Sequence, residues 1–296
     1  LTGTGVKRRP SFAGNCSRRL IVFTDLDGTL LDHDDYAWAG AARTLELLAE
    51  RGVPLIFVSS KTRSEITHLQ SCMGITDQPF VVENGGGVFF PSSWRHGLDG
   101  SAVAAENGGA VCLGIPYRRI RNLFETLRRR YPVTGFGDMT VEDVIAHTGL
   151  DRAAALRAMA REFSEPFLFD GDLDELLSEV RPHGMTITTG GRFHHLLAAG
   201  QDKGRAVRLV AECFARLEGA IVTVGLGDAA NDLPLLRAVD VPVVVPRPDG
   251  SRLHCPDLAP LVAPAAGSSG WGVMVERLLT DAAFLDREFG RRAGGQ

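Results

Sequence analysis

The chain has 296 residues, 44% of them hydrophobic and 23% charged, with a formal net charge of −4. That length holds one large or two modest globular domains, and the acidic balance supplies no global basic field to draw the protein to nucleic acid or anionic lipid. No apolar stretch approaches the roughly 20 residues that span a bilayer, and the five scattered cysteines (Cys16, Cys72, Cys112, Cys213, Cys255), with no C-x-x-C pair, argue against a disulfide framework or a zinc knuckle and for a reducing cytoplasm.

Residues 1–19 carry Lys7, Arg8, Arg9, Arg18 and Arg19 among small polar residues and are expected to form a disordered arm. The run Ile21 to Thr24 then reads as a strand ending in Asp25-Leu26-Asp27-Gly28. Alternation along it would bring Asp25 and Asp27 out of one face. Two carboxylates roughly 4 Å apart repel by about 1 to 4 kcal/mol, a cost that a divalent cation would offset. Trp38 to Arg51 has helical spacing and stops at Gly52, and Val53 to Val58 is a second strand ending at Ser59 and Ser60. Thr62-Arg63-Ser64-Glu65 is a capping-box pattern that opens a helix to about Met73. A third strand, Phe80 to Val82, meets Glu83-Asn84-Gly85-Gly86-Gly87, whose glycines permit a tight turn into Val88-Phe89-Phe90.

Residues 91–110 read as a polar, glycine-rich loop or weak hairpin, and a boundary falls near 112. Beyond it the pattern gives a basic helix (Tyr117 to Arg130), short helices starting at Thr140 and Asp151, a helix at Asp172 to Val180, and strands at Phe167 to Phe169, Met185 to Thr189 and Arg192 to Leu197. Such mixed short elements describe an α+β insert. Strand and helix alternation resumes with the helix Asp202 to Leu217, the strand Ala220 to Val224, the turn Gly225-Leu226-Gly227-Asp228, the helix Asp232 to Val239 and the strand Val241 to Val245. A last helix runs from Trp271 to Leu279, and the tail beyond Asp281 is expected to fray. The outer segments therefore predict one doubly wound parallel α/β sheet. Ligands bind such sheets beyond the carboxyl ends of the strands, where Asp25, Ser59, Glu83 and Asp228 converge.

Taken alone, Asp-Gly is a common turn pair. Gly225-Leu226-Gly227-Asp228-Ala229-Ala230 formally matches a dinucleotide fingerprint, but Asp228 would set a negative charge where a pyrophosphate rests on helix amides. An EF-hand fails because Thr29 and Leu30 stand where that loop needs a ligand and a glycine. The arginines of Tyr117-Arg118-Arg119-Ile120-Arg121 and Arg128-Arg129-Arg130 could form a nucleic-acid patch, although the acidic net charge and the lack of interleaved aromatics favour a solvated helix face.

The ordered set Asp25-x-Asp27, Ser59, Lys203 and Gly225-x-Gly-Asp228-x-x-x-Asp232 resembles the haloacid dehalogenase superfamily of phosphotransferases, over nearly the whole chain apart from the arm. The resemblance implies a Rossmann-like core at 20–112 and 197–281 with an inserted α+β cap of the second type (C2B-like) at 113–196, and a frayed tail at 282–296. It implies that Asp25 attacks phosphorus and that Asp27 protonates the leaving alcohol and then activates water. Ser59 and Lys203 would hold the phosphoryl oxygens, and Mg2+ would be bound by a set comprising Asp25, Asp27 and Asp228, with Asp232 in support. Asp27 also separates the chain from the superfamily's transport ATPases, which carry Thr at that place.

The strings Ser59-Ser60-Lys61-Thr62-Arg63, Glu83-Asn84-Gly85-Gly86-Gly87, Gly135-Phe136-Gly137-Asp138, Arg161 to Phe167, Gly190-Gly191-Arg192-Phe193-His194 and Asn231 to Val245 are similar to the mannosyl-3-phosphoglycerate phosphatase family. A small phosphorylated sugar-glycerate is the substrate this implies, with glucosyl-3-phosphoglycerate and other sugar phosphates as alternatives. Such a substrate carries a phosphate and a carboxylate. Lys61, Arg63 and Arg192 are therefore the candidate cations, with Arg192 as a bidentate carboxylate clamp. His194 and Asn84 are candidates for sugar or glycerate oxygens, the Gly28-Thr29 backbone for phosphoryl oxygens, and Ser60 and Asn231 complete the substrate set. Glu162 and Glu165 could instead tie down the cap. Neither nucleic acid nor membrane is expected as a partner.

Overall fold

The computed structural model describes residues 18–94, 103–105, 108–190 and 192–293. Most of the expected arm, the middle of the 91–110 segment and Gly191 lie outside them.

The core begins with β1 (Arg19–Thr24), α1 (Ala42–Arg51), β2 (Leu55–Val58), α2 (Arg63–Met73), β3 (Phe80–Val82), β4 (Gly87–Pro91), β5 (Val103–Ala105) and β6 (Gly108–Cys112). The insert follows as α3 (Tyr117–Leu127), β7 (Thr134–Gly135), α4 (Val141–Thr148), α5 (Arg152–Met159), β8 (Ser164–Leu168), α6 (Leu173–Val180), β9 (Met185–Gly190) and β10 (Phe193–Ala198). The core resumes with α7 (Lys203–Glu218), β11 (Ile221–Gly227), α8 (Leu233–Arg237), β12 (Val241–Val244), β13 (Leu261–Val262), α9 (Gly267–Thr280) and α10 (Ala282–Ala293).

The larger sheet has nine strands in the order β13-β12-β11-β1-β2-β3-β4-β6-β5. It is parallel from β13 to β3, as expected, but β4, β6 and β5 extend its edge antiparallel. Alternation along β1 explains why this sheet is covered on both faces. Leu20 and Val22 enter a core with Leu45, Leu48, Trp271 and Val275, whereas Ile21 and Phe23 enter another with Val207, Val210, Phe214 and Leu235. The second sheet, β7-β8-β10-β9, is antiparallel and has its own core around Ile120, Phe124, Phe167 and Leu196.

Helix starts were legible locally. Thr62 and Thr140 form capping boxes with Glu65 and Asp143, and the side chains of Asp151, Asp172 and Asp202 each accept a backbone N–H at a helix start.

Other expectations need correction. Arg19 belongs to β1 rather than to the arm, and its guanidinium pairs with Glu218. Gly225-Leu226-Gly227 is strand, not turn: a Cβ at Gly225 would meet Leu235 and Val239 at 2.8 Å, and one at Gly227 would meet Asp232 at 2.5 Å. These glycines let α8 and the Asp232 side chain pack directly on β11. The strand expected at Phe167 to Phe169 is Ser164–Leu168, paired with β10. The expected domain boundary at 196/197 falls inside β10. The tail does not fray at Asp281, because α10 docks Phe284 and Phe289 on the core.

Two crossings join the domains. At the first, Leu113 and Gly114 donate to the Gly86 carbonyl, both at 2.9 Å. At the second, Gln201 Nε2 donates to the Glu83 carbonyl at 2.7 Å. The fully buried Glu83 carboxylate also receives the N–H groups of Glu162 (2.7 Å) and Phe163 (3.0 Å), the Ser164 hydroxyl (2.8 Å) and the Arg161 guanidinium (3.3 Å). The acid expected at the strand-end crevice is therefore turned toward the insert, where it fixes the 161–164 strap.

Candidate active site

β1 ends at Thr24, so strand alternation alone does not carry Asp27 to its place. A turn does, with Thr29 N–H and Leu31 N–H both returning to the Leu26 carbonyl at 3.1 and 2.8 Å. Leu26 is sunk in the core, and the carboxylates on either side of it line one cavity of about 400 Å³. Lys203, fully buried at the start of α7, places Nζ 2.6 Å from both Asp25 Oδ1 and Asp232 Oδ1. Asp232 Oδ2 accepts the N–H groups of Asp228 and Ala229, each at 3.0 Å, which fixes the loop carrying Asp228. Thr29 Oγ1 donates to Asp228 Oδ1 at 3.0 Å. Gly28 has φ +76, and a Cβ there would stand 3.0 Å from Asp228 Oδ2, so a side chain would crowd the acid from across the loop.

Electrostatics follow from this crowding. Burial first, then the charges of Asp232, Asp228 and Asp27, hold the Asp25 pKa well above the usual carboxylate range, against the pull of Lys203. Asp228 is pushed up to about 6 by burial and Asp232. Burial opposes the charge on Lys203, but Asp232 and Asp25 outweigh it and the pKa moves up. At the cavity wall, Lys61 Nζ lies 2.9 Å from Asp27 Oδ1, 3.7 Å from Glu65 Oε1 and 5.0 Å from the Tyr36 ring centre.

The chain is 40% identical over 269 residues to a glucosyl-3-phosphoglycerate/mannosyl-3-phosphoglycerate phosphatase of Persephonella marina, covering 88% of this chain and 98% of that protein. A protein of the same description from Methanococcoides burtonii is 39% identical over 78% of this chain and 86% of its own length. Residues 22–95 match the family of haloacid dehalogenase-like hydrolases.

The chain belongs to the haloacid dehalogenase-like hydrolases.

Within them it is a phosphatase resembling mannosyl-3-phosphoglycerate phosphatase. The fold agrees with a crystal structure from Thermoplasma acidophilum at a TM-score of 0.66 and 18% identity, over 88% of this chain and 99% of that one. The second sheet and its helices are the cap of this haloacid dehalogenase fold.

In this hydrolase the cavity gathers Asp25, Asp27, Ser60, Lys61, Arg192, Asp228 and Asn231 from the expected set. The other expected residues are placed elsewhere. Ser59 is fully buried behind the cavity wall, with Oγ accepting Lys61 N–H at 3.2 Å. Thr29 holds Asp228 with its hydroxyl and spends its N–H on Leu26, so it orients an acid and does not line the cavity. Arg63 is outside the cavity, paired with Glu162 at 3.0 Å and stacked over Phe89. That pair joins core to cap, as one reading of Glu162 anticipated. Glu165 is instead an internal cap residue, bonded to Tyr117, Arg121 and Gly137. His194 faces away, bonding Thr189 at 2.9 Å and packing on Phe167. Asn84, with φ 57, lies behind Asn231 and accepts its amide at 3.0 Å.

The cavity also contains Tyr36, Glu65, Arg161, His195 and Arg247. Strand alternation signalled one of these: Phe193 and His195 share a face of β10 that excludes His194. Three of the six arginines of the basic stretch are paired within the cap, Arg121 and Arg128 with Asp138 and Arg130 with Glu179. Among the described residues no helix is long and apolar enough to cross a membrane.

Carboxylate oxygens of Asp25, Asp228 and Asp232 lie within 4.8 Å of one another. Hard oxygens in that crowd suit Mg2+. Asp232, however, has one oxygen on Lys203 and the other on two amides, and Asp27 is on Lys61. Asp25 and Asp228 are the side chains that fit the ion most directly, with Asp232 behind them bracing both Lys203 and the Asp228 loop.

Proposed function

We propose that this enzyme hydrolyses the phosphate ester of mannosyl-3-phosphoglycerate to give mannosylglycerate, a compatible solute, through an aspartyl-phosphate on Asp25. The observation that carries this reading is the division of one cavity into two chemistries. Acids and Lys61 lie on the core side, while the cap presents Arg192 beside an uncharged wall of Phe136, Thr148, Leu150, Pro166 and Phe193. A phosphate, a glycerate carboxylate and a sugar each have a matching region. The glucosyl ester is the second reading, because the curated relatives carry both sugars in their description.

Asp25, oriented by Lys203, forms the bond to phosphorus as the ester P–O bond breaks. Asp27, held by Lys61, gives its proton to the departing glycerate oxygen. In the second step it takes a proton from the water that attacks phosphorus and frees Asp25. Ser59, behind the wall, holds the Lys61 N–H and so positions the loop that carries Lys61, and Arg192 grips the carboxylate. Mg2+ held by Asp25 and Asp228 would neutralise the charge of nucleophile and phosphoryl group. The cap is taken as 113–198, and a cytoplasmic site of action accords with the free thiols of Cys72, Cys112 and Cys255.

The test is phosphate release from mannosyl- and glucosyl-3-phosphoglycerate beside simple sugar phosphates, with Mg2+ and with EDTA. Preference for the glycosyl-glycerate esters and loss of turnover in EDTA are expected. Equal rates on every sugar phosphate would defeat the substrate assignment.

A further inference from the structure

The cap wall of the cavity contains one polar ring that the mechanism does not use. His195 is 6% exposed, lies on β10 opposite Pro166 of β8 and Thr188 of β9, and lines the cavity beside Phe193. Its Nδ1 is buried with no hydrogen-bond partner among the described residues. A native fold seldom leaves a buried ring nitrogen unmatched, since such an atom forfeits its hydration without compensation. Its surroundings keep the ring uncharged: burial foremost, then the cations of Arg161 and Lys203, push its pKa down to about 3. A neutral imidazole offers one donor and one acceptor, which matches a hydroxyl and suits a phosphate or carboxylate poorly.

Position supports the same assignment. The acids and Lys61 occupy the core side, and Arg192 is an exposed cap cation lining the cavity, donating to the Thr148 carbonyl at 3.3 Å. Arg161 is committed to Glu83, Ser60 and Ser164. Between these charges, Phe136 and Phe193 meet edge to face with ring centres 5.0 Å apart. His195 is thus a hydrogen-bonding group set in an apolar, aromatic stretch of wall, the combination that fixes an uncharged ring in a pocket.

We propose that His195 is the sugar-selecting residue of the cap, its neutral imidazole hydrogen-bonding a hydroxyl of the glycosyl ring. This rests on the glycosyl-phosphoglycerate reading above. It is a specificity contact and leaves phosphoryl chemistry to the core.

The experiment compares His195→Phe and His195→Gln with the unaltered enzyme on mannosyl-3-phosphoglycerate, glucosyl-3-phosphoglycerate and the sugar-free ester p-nitrophenyl phosphate. His195→Phe should raise KM for the favoured glycosyl ester by about tenfold, the loss of roughly one buried hydrogen bond, with kcat on p-nitrophenyl phosphate within about twofold. His195→Gln, which keeps a donor and an acceptor, should recover part of the loss. Unchanged turnover of the sugar-free ester shows that the variant is folded. Equal losses on glycosyl and sugar-free esters, or no change on either, would overturn the role of His195 alone. Failure of the unaltered enzyme to act on either glycosyl ester while hydrolysing p-nitrophenyl phosphate would overturn the parent reading and this one together.

Discussion

Without a divalent cation, stability should fall as pH rises through the ionisation of Asp228. Its carboxyl is pushed from 3.8 to about 6, by burial first and Asp232 second. The folded protein thus holds this proton more tightly than the unfolded chain does. The stabilisation is complete below 3.8 and is lost as pH rises through about 6. At 1.36 kcal/mol per unit, the two limits differ by about 3 kcal/mol. At roughly 2–4 °C per kcal/mol, that is roughly 6–12 °C in Tm. Asp25 shifts in the same direction and adds to the slope. Mg2+ at about a hundred times its Kd restores about 2.7 kcal/mol, enough to flatten the profile. The assay is thermal unfolding between about pH 4 and pH 7 in EDTA and in MgCl2, read as the difference between the wild type and Asp228→Asn, which removes the Asp228 contribution together with its share of the Asp25 shift and cancels carboxylates remote from the site. Identical EDTA and Mg2+ profiles, or an Asp228→Asn variant with undiminished Mg2+ response, would refute the assignment of Asp228 to the cation.

Asp25→Asn should abolish both turnover and covalent phosphorylation; a variant retaining more than about a few per cent of the wild-type rate would remove Asp25 from the nucleophile role. Glu83→Ala strands the buried Arg161 guanidinium, so the urea midpoint should report about 3–5 kcal/mol of destabilisation. A loss below about 1 kcal/mol would mean that the strap is held by other contacts. Arg192→Ala should raise KM for the glycerate ester about tenfold or more while sparing a carboxylate-free analogue, whereas Arg63→Ala, whose partner Glu162 lies outside the cavity, should leave both KM values within about twofold. Matching responses of the two variants would remove Arg192 from the carboxylate.

The clustering of Asp25, Lys203, Asp228 and Asp232 was readable because each lies at its own strand end or helix start. Asp202 caps the helix that Lys203 opens, and Asp232 lies four residues beyond Asp228 on a short loop. The strand expected to carry Asp27 stops at Thr24, yet a turn delivers the same result, since Leu26 is as buried as a strand residue would be. The cap assignments fared differently. Arg192 precedes β10 and lines the cavity, whereas His194, within the strand, turns to Thr189 and Phe167. Arg63 had an acid 99 residues away as its partner, which no local pattern announces.

The sequence by itself determined the acids and lysine that cluster at the strand ends, the helix starts and the alternation of β1 between two faces, all of which depend on covalent neighbours and on the periods of strand and helix. Only the tertiary structure decided which acids Lys203 and Lys61 engage, that Gly225 and Gly227 belong to a strand, and that His195 rather than His194 lines the cavity. Those outcomes depend on which distant groups fill the space beside each side chain. Asp25 and Asp27 are two residues apart, but Lys203 and Lys61, arriving from different elements, give them different partners and so different electrostatic surroundings.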